Sequence, residues 1–167
     1  MVEMMKRLLR HTLTPPWRVR QLFPARVMHA ITTAIHQCET HHRGEIRFAV
    51  EASLDVPALL RKQTARERAI AVFAQLGVWD TEHNNGVLIY VLLADHDVEI
   101  IADRGINRHV GREAWEAICR EMELDLRQQR FQEAMLHGIS AISAHLARHY
   151  PGQGENINEL PDQPVVL

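Results

Sequence analysis

The chain has 167 residues, 46% hydrophobic and 24% charged, which is typical of one soluble globular domain and excludes a disordered or fibrous chain. Nineteen Lys and Arg balance 21 Asp and Glu, so the formal net charge of −2 gives no general attraction to nucleic acid. Two cysteines exclude a disulfide framework and a four-thiolate zinc site. Neither a signal peptide nor an apolar run of ~20 residues is recognisable, so we expect a cytoplasmic protein.

Residues 1–23 form a basic leader, in which five Lys and Arg residues face one acidic residue, Glu3. With apolar residues such as Leu8 and Trp17, this composition is typical of a short arm that binds weakly to a membrane surface. The protein would then be peripheral at the membrane. The alternative is a flexible leader, or one that packs on its own domain.

The first half of the chain predicts a helix, a strand and a second helix. Apolar residues recur at helical spacing between Pro24 and Gly44. Residues 45–51 alternate between polar and apolar side chains, which is strand periodicity. Thr64 and Glu67 have the spacing of a capping box, and this favours a helix over residues 64–76.

The second half predicts a hairpin and two amphipathic helices. Residues 87–93 are apolar throughout, which indicates a strand buried on both faces, and residues 98–102 form its hairpin partner. The order α-β-α-β-β-α-α predicts a three-layer α/β/α sandwich with a small mixed sheet. We assign this domain to residues 24–150 and a polar tail to residues 151–167.

Strand direction places Asp95 and Asp97 at the carboxyl edge of the predicted sheet, where α/β proteins usually bind ligands. These residues match the two Asp positions of the D-x-D-x-V pattern of haloacid-dehalogenase-like phosphatases, although the Val here, Val98, follows the second Asp directly. In that pattern the first Asp attacks phosphorus and the second acts as acid and base. The alternative is an ordinary hairpin turn, where Asp is favoured without any catalytic role.

Two other patterns give weaker indications of chemistry. Cys38 and Arg43 have C-x4-R spacing, whereas a protein-tyrosine-phosphatase loop needs C-x5-R. His145 and His149 have a metal-ligand spacing on one helix, but a helix C-terminus also favours exposed histidines.

The segment from Trp79 to Ile89 resembles the centre of the TPM domain family, also called the TPM phosphatase family. Its Asn85-Gly86 turn leads into Val87-Leu88, and the next strand closes on Gly105. The resemblance covers roughly residues 24–150 and implies a TPM-type sandwich. Many members carry a signal segment and a membrane helix, so this chain looks like a short form without either.

The resemblance implies a ligand site at the opposite edge of the sheet. Its candidate residues are Asp80, Asn84, Asn85, Asp103 and Arg104. The two Asp side chains are candidates for a divalent cation, Ca²⁺ or Mg²⁺, and Arg104 for a phosphate or carboxylate. Asn84 stands where members often have Asp, which reduces the acidic ligands. The alternative is an ion pair between Asp103 and Arg104 that orders the turns.

The two functional hypotheses belong to different classes. The first is a non-catalytic binding or accessory module, with a protein partner, linked to membrane-protein quality control or assembly. The second, implied by the family name, is a weak metal-assisted phosphatase. Only the second predicts turnover that a chelator abolishes.

Overall fold

The computed structural model describes residues 2–152 and 157–167. Within these ranges the helices are α1 (Val2–Thr12), α2 (Trp17–Leu22), α3 (Ala25–Glu39), α4 (Val56–Leu60), α5 (Ala65–Gln75), α6 (Arg104–Val110), α7 (Arg112–Arg127) and α8 (Phe131–His149). The strands are β1 (Glu45–Glu51), β2 (Gly86–Leu92), β3 (Asp97–Ala102) and β4 (Val165–Val166). A short 3-10 helix, Leu93–Asp95, joins β2 to β3.

The strands form one mixed sheet in the order β3-β2-β1-β4. Strand β1 runs parallel to β2, with Glu45 opposite Gly86, and β3 returns antiparallel to β2. Strand β4 adds in parallel to the other side of β1. The three predicted strands and their relative directions are therefore confirmed, with boundaries that differ by one residue at most.

Helices cover both faces of the sheet. On one face, Phe48 and Ile89 belong to a core that also contains residues of α3, α7 and α8. On the other face, Leu88 and Tyr90 pack with apolar residues of α4 and α5. Alternate residues of β2 enter these two cores, and all seven of its residues are buried. The predicted α/β sandwich is confirmed.

Local signals explain where helices start. Thr64 and Glu67 form the predicted capping box, in which each side chain accepts a hydrogen bond from the other's backbone N–H. Four helices were not predicted from the sequence, α1, α2, α4 and α6. Two of them, α4 and α6, begin after Asp55 and Asp103, and each Asp side chain accepts a hydrogen bond from a backbone N–H of its helix.

The regions assigned to the leader and the tail contain regular structure. Residues 2–22 hold α1 and α2, and both Val19 and Phe23 are buried in the core beside α3, α7 and α8. In the tail, β4 pairs with Ala49 and Val50 of β1. None of the helices in the described ranges combines the length and the apolarity that crossing a membrane requires.

Candidate functional site

The carboxyl edge of the sheet is covered by α1. Arg7 donates two hydrogen bonds to Asp95 Oδ2, from Nε at 2.9 Å and Nη2 at 2.8 Å. Arg10 Nη2 donates to Oδ1 at 2.9 Å. Burial alone would raise the pKa of Asp95, but the Arg7 hydrogen bond and His11 hold it below its ordinary value. Asp95 therefore serves as the anchor of α1.

His11 completes this contact from the same face of α1. Its Nδ1 accepts a hydrogen bond from the Leu54 N–H at 2.9 Å, and its Nε2 lies 3.1 Å from Asp95 Oδ1. Because Nδ1 accepts, the neutral ring carries its proton on Nε2, facing the carboxylate. Burial lowers the pKa of His11 in spite of that carboxylate, which is consistent with a neutral ring.

Asp97, the second residue of the D-x-D pattern, has a different environment. It lies at the start of β3 and lines a groove of about 410 Å³ between β3 and α7. Burial and the carboxylates of Glu99 and Glu123 raise its pKa to about 6. Across residues 2–152 and 157–167, no group of three or more His, Cys, Asp or Glu side chains is placed to hold a metal ion.

At the opposite edge, the loop before β2 is tied to the start of α6. The Asn84 carbonyl accepts from the Ile106 N–H at 3.2 Å, and the Asp103 N–H donates to the Gly86 carbonyl at 2.9 Å. Gly86 allows the loop to close, because a Cβ there would lie 2.0 Å from the Val78 carbonyl oxygen. The glycine of the Asn85-Gly86 motif is therefore required, because the backbone of Val78 leaves no space for a side chain at this position.

Asn85 and Asp103 are the two buried residues among the five predicted candidates of this edge. Asn85 Nδ2 donates to the Arg43 carbonyl at 2.9 Å, and Asp103 Oδ1 accepts from the Arg104 N–H at 2.6 Å. The remaining oxygens, Asn85 Oδ1 and Asp103 Oδ2, are buried and accept no hydrogen bond within the described part of the chain. The structure therefore places two unused acceptors on adjoining segments.

The other three candidates of this edge are exposed. Asp80 lies in a turn in which its N–H donates to the Gly77 carbonyl at 3.0 Å. Asn84 has a left-handed backbone, with φ of 51°, as Asn often does in turns. Arg104 touches Asp103 through its backbone N–H, and among the described residues its guanidinium forms no ion pair.

Tyr150 belongs to this edge although sequence reasoning did not include it. A Cβ at Gly105 would lie 2.9 Å from the Tyr150 hydroxyl and 2.4 Å from the Asn84 carbonyl oxygen. Burial raises the pKa of Tyr150, and Asp103 adds to the increase. The ring of His83 stacks on Tyr150 with centroids 6.5 Å apart. Nothing near Tyr150 in the sequence signals these contacts.

The weaker sequence indications fall elsewhere. Cys38 is a half-buried thiol on α3, packed beside the core. The ring of His149 stacks on His109 with centroids 4.7 Å apart, whereas His145 contacts Trp115. His145 and His149 therefore have different ring partners.

The solved structures that are similar to this chain include two solution structures. The BA42 protein from the psychrophilic bacterium Bizionia argentinensis is 31% identical, with a TM-score of 0.75, over 85% of this chain and 93% of that one. The N-terminal domain of a P. gingivalis protein is 14% identical, with a TM-score of 0.64, over 84% of this chain and 95% of that one, and shows the fold alone. No curated protein matches the chain.

The sequence model of the TPM domain family matches residues 20–145 of this chain, which confirms the resemblance seen in the sequence. The chain belongs to the TPM domain family.

Proposed function

We propose that the chain is a non-catalytic binding module whose ligand site is centred on Asn85 and Asp103. The observation that carries the proposal is the pair of buried oxygens, Asn85 Oδ1 and Asp103 Oδ2, without hydrogen bonds among the described residues. A buried acceptor left unpaired is unfavourable, and binding of a cation or a donor would relieve that cost.

A divalent cation is the ligand that this donor set supports best. Carboxylate and amide oxygens are the ligands that Mg²⁺ and Ca²⁺ prefer, and Mg²⁺ retains several waters beside one or two carboxylates. Asp103 supplies one carboxylate and Asn85 one amide oxygen, which fits a largely hydrated ion better than a fully protein-coordinated Ca²⁺. We therefore expect weak binding that favours Mg²⁺. The bound ion would compensate the Asp103 charge.

The partner hypothesis is an extension of this proposal. The exposed guanidinium of Arg104 stands next to Asp103, so an acidic group of a partner would meet both this cation and a bound metal ion. A role in membrane-protein quality control or assembly is supported by the cationic N-terminal segment. A protein held at the membrane surface by this segment would meet membrane proteins and the factors that assemble them, which are the partners of this hypothesis.

Amide NMR of the full chain during titration with Mg²⁺ and with Ca²⁺ tests the site. We expect shifts confined to residues 80–86 and 103–109. Asp103→Asn should weaken binding by about tenfold or more through loss of the carboxylate, while its helix start is retained because Asn also caps helices. The matched control is Asp80→Asn, at an exposed position in the same loop, which should bind as the wild type does.

A phosphatase assay with a generic phosphomonoester separates the two functions. The proposed module shows no turnover that depends on a divalent cation. Turnover that a chelator abolishes, and that Asp103→Asn removes, would replace the proposal by metal-assisted phosphatase activity. If neither cation shifts residues of this edge, the cation site is wrong.

A further inference from the structure

Helix α1 lies on the domain with its charged side inward and an apolar side outward. Arg7, Arg10 and His11 contact Asp95, as described above. At 100° per residue, the opposite side of the helix carries Val2, Met5 and Leu9. Leu13 follows the last residue of α1 and continues this side, because its N–H donates to the Leu9 carbonyl at 2.9 Å. The exposed fractions of these four residues are 65%, 63%, 58% and 70%. This orientation is the reverse of that of an ordinary surface helix, which buries its apolar side.

The contacts of α1 hold this orientation. Arg7 Nη1 also donates to the Gln63 carbonyl at 2.8 Å, and the Leu8 side chain packs against the core beneath α4 and α5. Both contacts lie on the inward side of the helix. The outward apolar side chains are thus presented by the fold and are not left exposed by fraying of a terminus.

Further exposed apolar residues adjoin the helix. Trp17, at the start of α2, is 61% exposed. Helix α4 packs against α1 and exposes Val56 and Leu60. Scattered exposed apolar residues are ordinary on a protein surface, but a row on one side of one helix marks an interaction site. We call Val2, Met5, Leu9, Leu13 and Trp17 the N-terminal apolar face.

The charges around this face indicate what covers it. Exposed cationic side chains on α2 and in the turn after α4, namely Arg20, Arg61 and Lys62, form no ion pair among the described residues, whereas Lys6 and Arg10 on α1 are exposed but paired with Glu3 and Asp95. The acidic Asp95 beneath α1 is already paired with Arg7 and Arg10. A second copy of the chain would bring these cations together, whereas anionic lipid headgroups attract them.

We infer that the N-terminal apolar face binds the surface of an anionic lipid bilayer. The helix lies in the plane of the interface, with its apolar side chains at the boundary of the acyl chains and its cations among the headgroups. Trp17 is suited to the same depth, because its ring is amphipathic. The domain side of α1 stays bound to Asp95, so binding requires no unfolding.

Flotation of the full chain with lipid vesicles tests this inference. The vesicles are phosphatidylcholine alone or phosphatidylcholine with about 30% phosphatidylserine. We expect binding to the anionic vesicles to exceed binding to the neutral ones by about tenfold, and to fall in about 0.5 M salt. Leu9→Ser with Leu13→Ser should reduce binding by about tenfold or more. In the wild type, both leucine side chains leave water when the protein binds the bilayer, and serine lacks this favourable transfer.

The matched control replaces two exposed apolar residues elsewhere, Ile70→Ser on α5 with Leu124→Ser on α7. It should bind within about twofold of the wild type. Circular dichroism verifies that both double variants are folded. Equal binding by the two double variants, or no binding to anionic vesicles, overturns the inference. A dimer in solution that only Leu9→Ser with Leu13→Ser dissolves would assign the face to a second copy of the chain instead.

Discussion

Arg7 and Asp95, 88 positions apart in the chain, form a two-nitrogen contact in which Arg7 Nε and Nη2 both donate to Asp95 Oδ2. The contact joins the first helix to the turn between β2 and β3. Asp95, the first residue of the D-x-D pattern, therefore has a structural role, because both of its carboxylate oxygens accept hydrogen bonds from arginines of the same chain.

Asp95→Asn should destabilise the protein by about 2 kcal/mol, because Arg7 and Arg10 lose a largely buried anionic partner. Urea unfolding measures the loss. Limited proteolysis should also cleave α1 faster. Glu3→Gln is the control, as it removes only the exposed pair with Lys6 and should change stability little. Equal stability of the two variants would show that Asp95 does not anchor α1.

Glu39 should make the protein less stable as the pH rises. It is 7% exposed, and burial, reinforced by the charges of Glu45 and Asp162, raises its pKa to about 9. Between its unfolded pKa of about 4.5 and this value, the folded state binds more protons than the unfolded state. Its contribution to stability is therefore present at acid pH and is lost as the pH rises through this window, by at most about 1.4 kcal/mol per pH unit.

Glu39→Gln checks this, because an amide cannot ionise and can still accept the Ile46 N–H bond that Glu39 accepts at 2.9 Å. Between pH 5 and pH 9 the Glu39 carboxyl is protonated mainly in the folded state. Over this range we expect the free energy of unfolding of Glu39→Gln, measured with urea, to vary less with pH than that of the wild type. The variant should also be more stable than the wild type at the alkaline end. The exposed Glu121→Gln on α7 should keep the wild-type profile. An unchanged slope for Glu39→Gln would contradict the assignment.

Asn85→Asp should strengthen cation binding by about tenfold or more, because a second carboxylate joins Asp103. Without a cation the same variant should be less stable, since the Arg43 carbonyl loses its donor and two buried carboxylates repel. Thermal unfolding with and without Mg²⁺ measures both effects. The control is Asn84→Asp at the neighbouring exposed position, which should change neither cation binding nor stability. If Asn84→Asp strengthens cation binding as much as Asn85→Asp does, Asn85 is not a ligand of the cation.

Gly86→Ala should be more disruptive than Gly77→Ala. At Gly86 the added Cβ would lie 2.0 Å from the Val78 carbonyl oxygen, a backbone atom that cannot move aside easily. We expect a loss of about 3 kcal/mol. Gly77 has φ of +65° and nothing within 4 Å of the added Cβ, so only backbone strain of about 1 kcal/mol applies. Thermal unfolding that ranks them in the opposite order would contradict the contact with Val78.

The sequence predicts the sheet well because its strands carry strong local patterns. Strand β1 alternates, β2 is apolar throughout, and the capping box marks the start of α5. The two-residue β4 has no such pattern, since it exists only through pairing with β1. The position of α1 likewise depends on Asp95, a contact between distant parts of the chain that no local spacing reveals.

For the candidate site, the family motif leads to the correct loop but does not distinguish among its residues. Asn84 and Asn85 are adjacent and chemically identical, yet one is exposed and the other is buried. That difference arises because Asn84 takes the left-handed turn position and Asn85 points toward the Arg43 carbonyl. Tyr150 reaches the site from the end of α8, which requires the packed helices to be known.

Strand β4 also determines which part of the outer edge of β1 is open to another strand. The Leu167 N–H donates to the Val50 carbonyl at 3.0 Å, so the last residues of the chain cover part of the outer edge of β1. Removing residues 165–167 would leave the N–H and C=O groups of this part of β1 available to a strand from another molecule. We therefore expect residues 165–167 to reduce edge-to-edge association, because their pairing with Ala49 and Val50 occupies these groups.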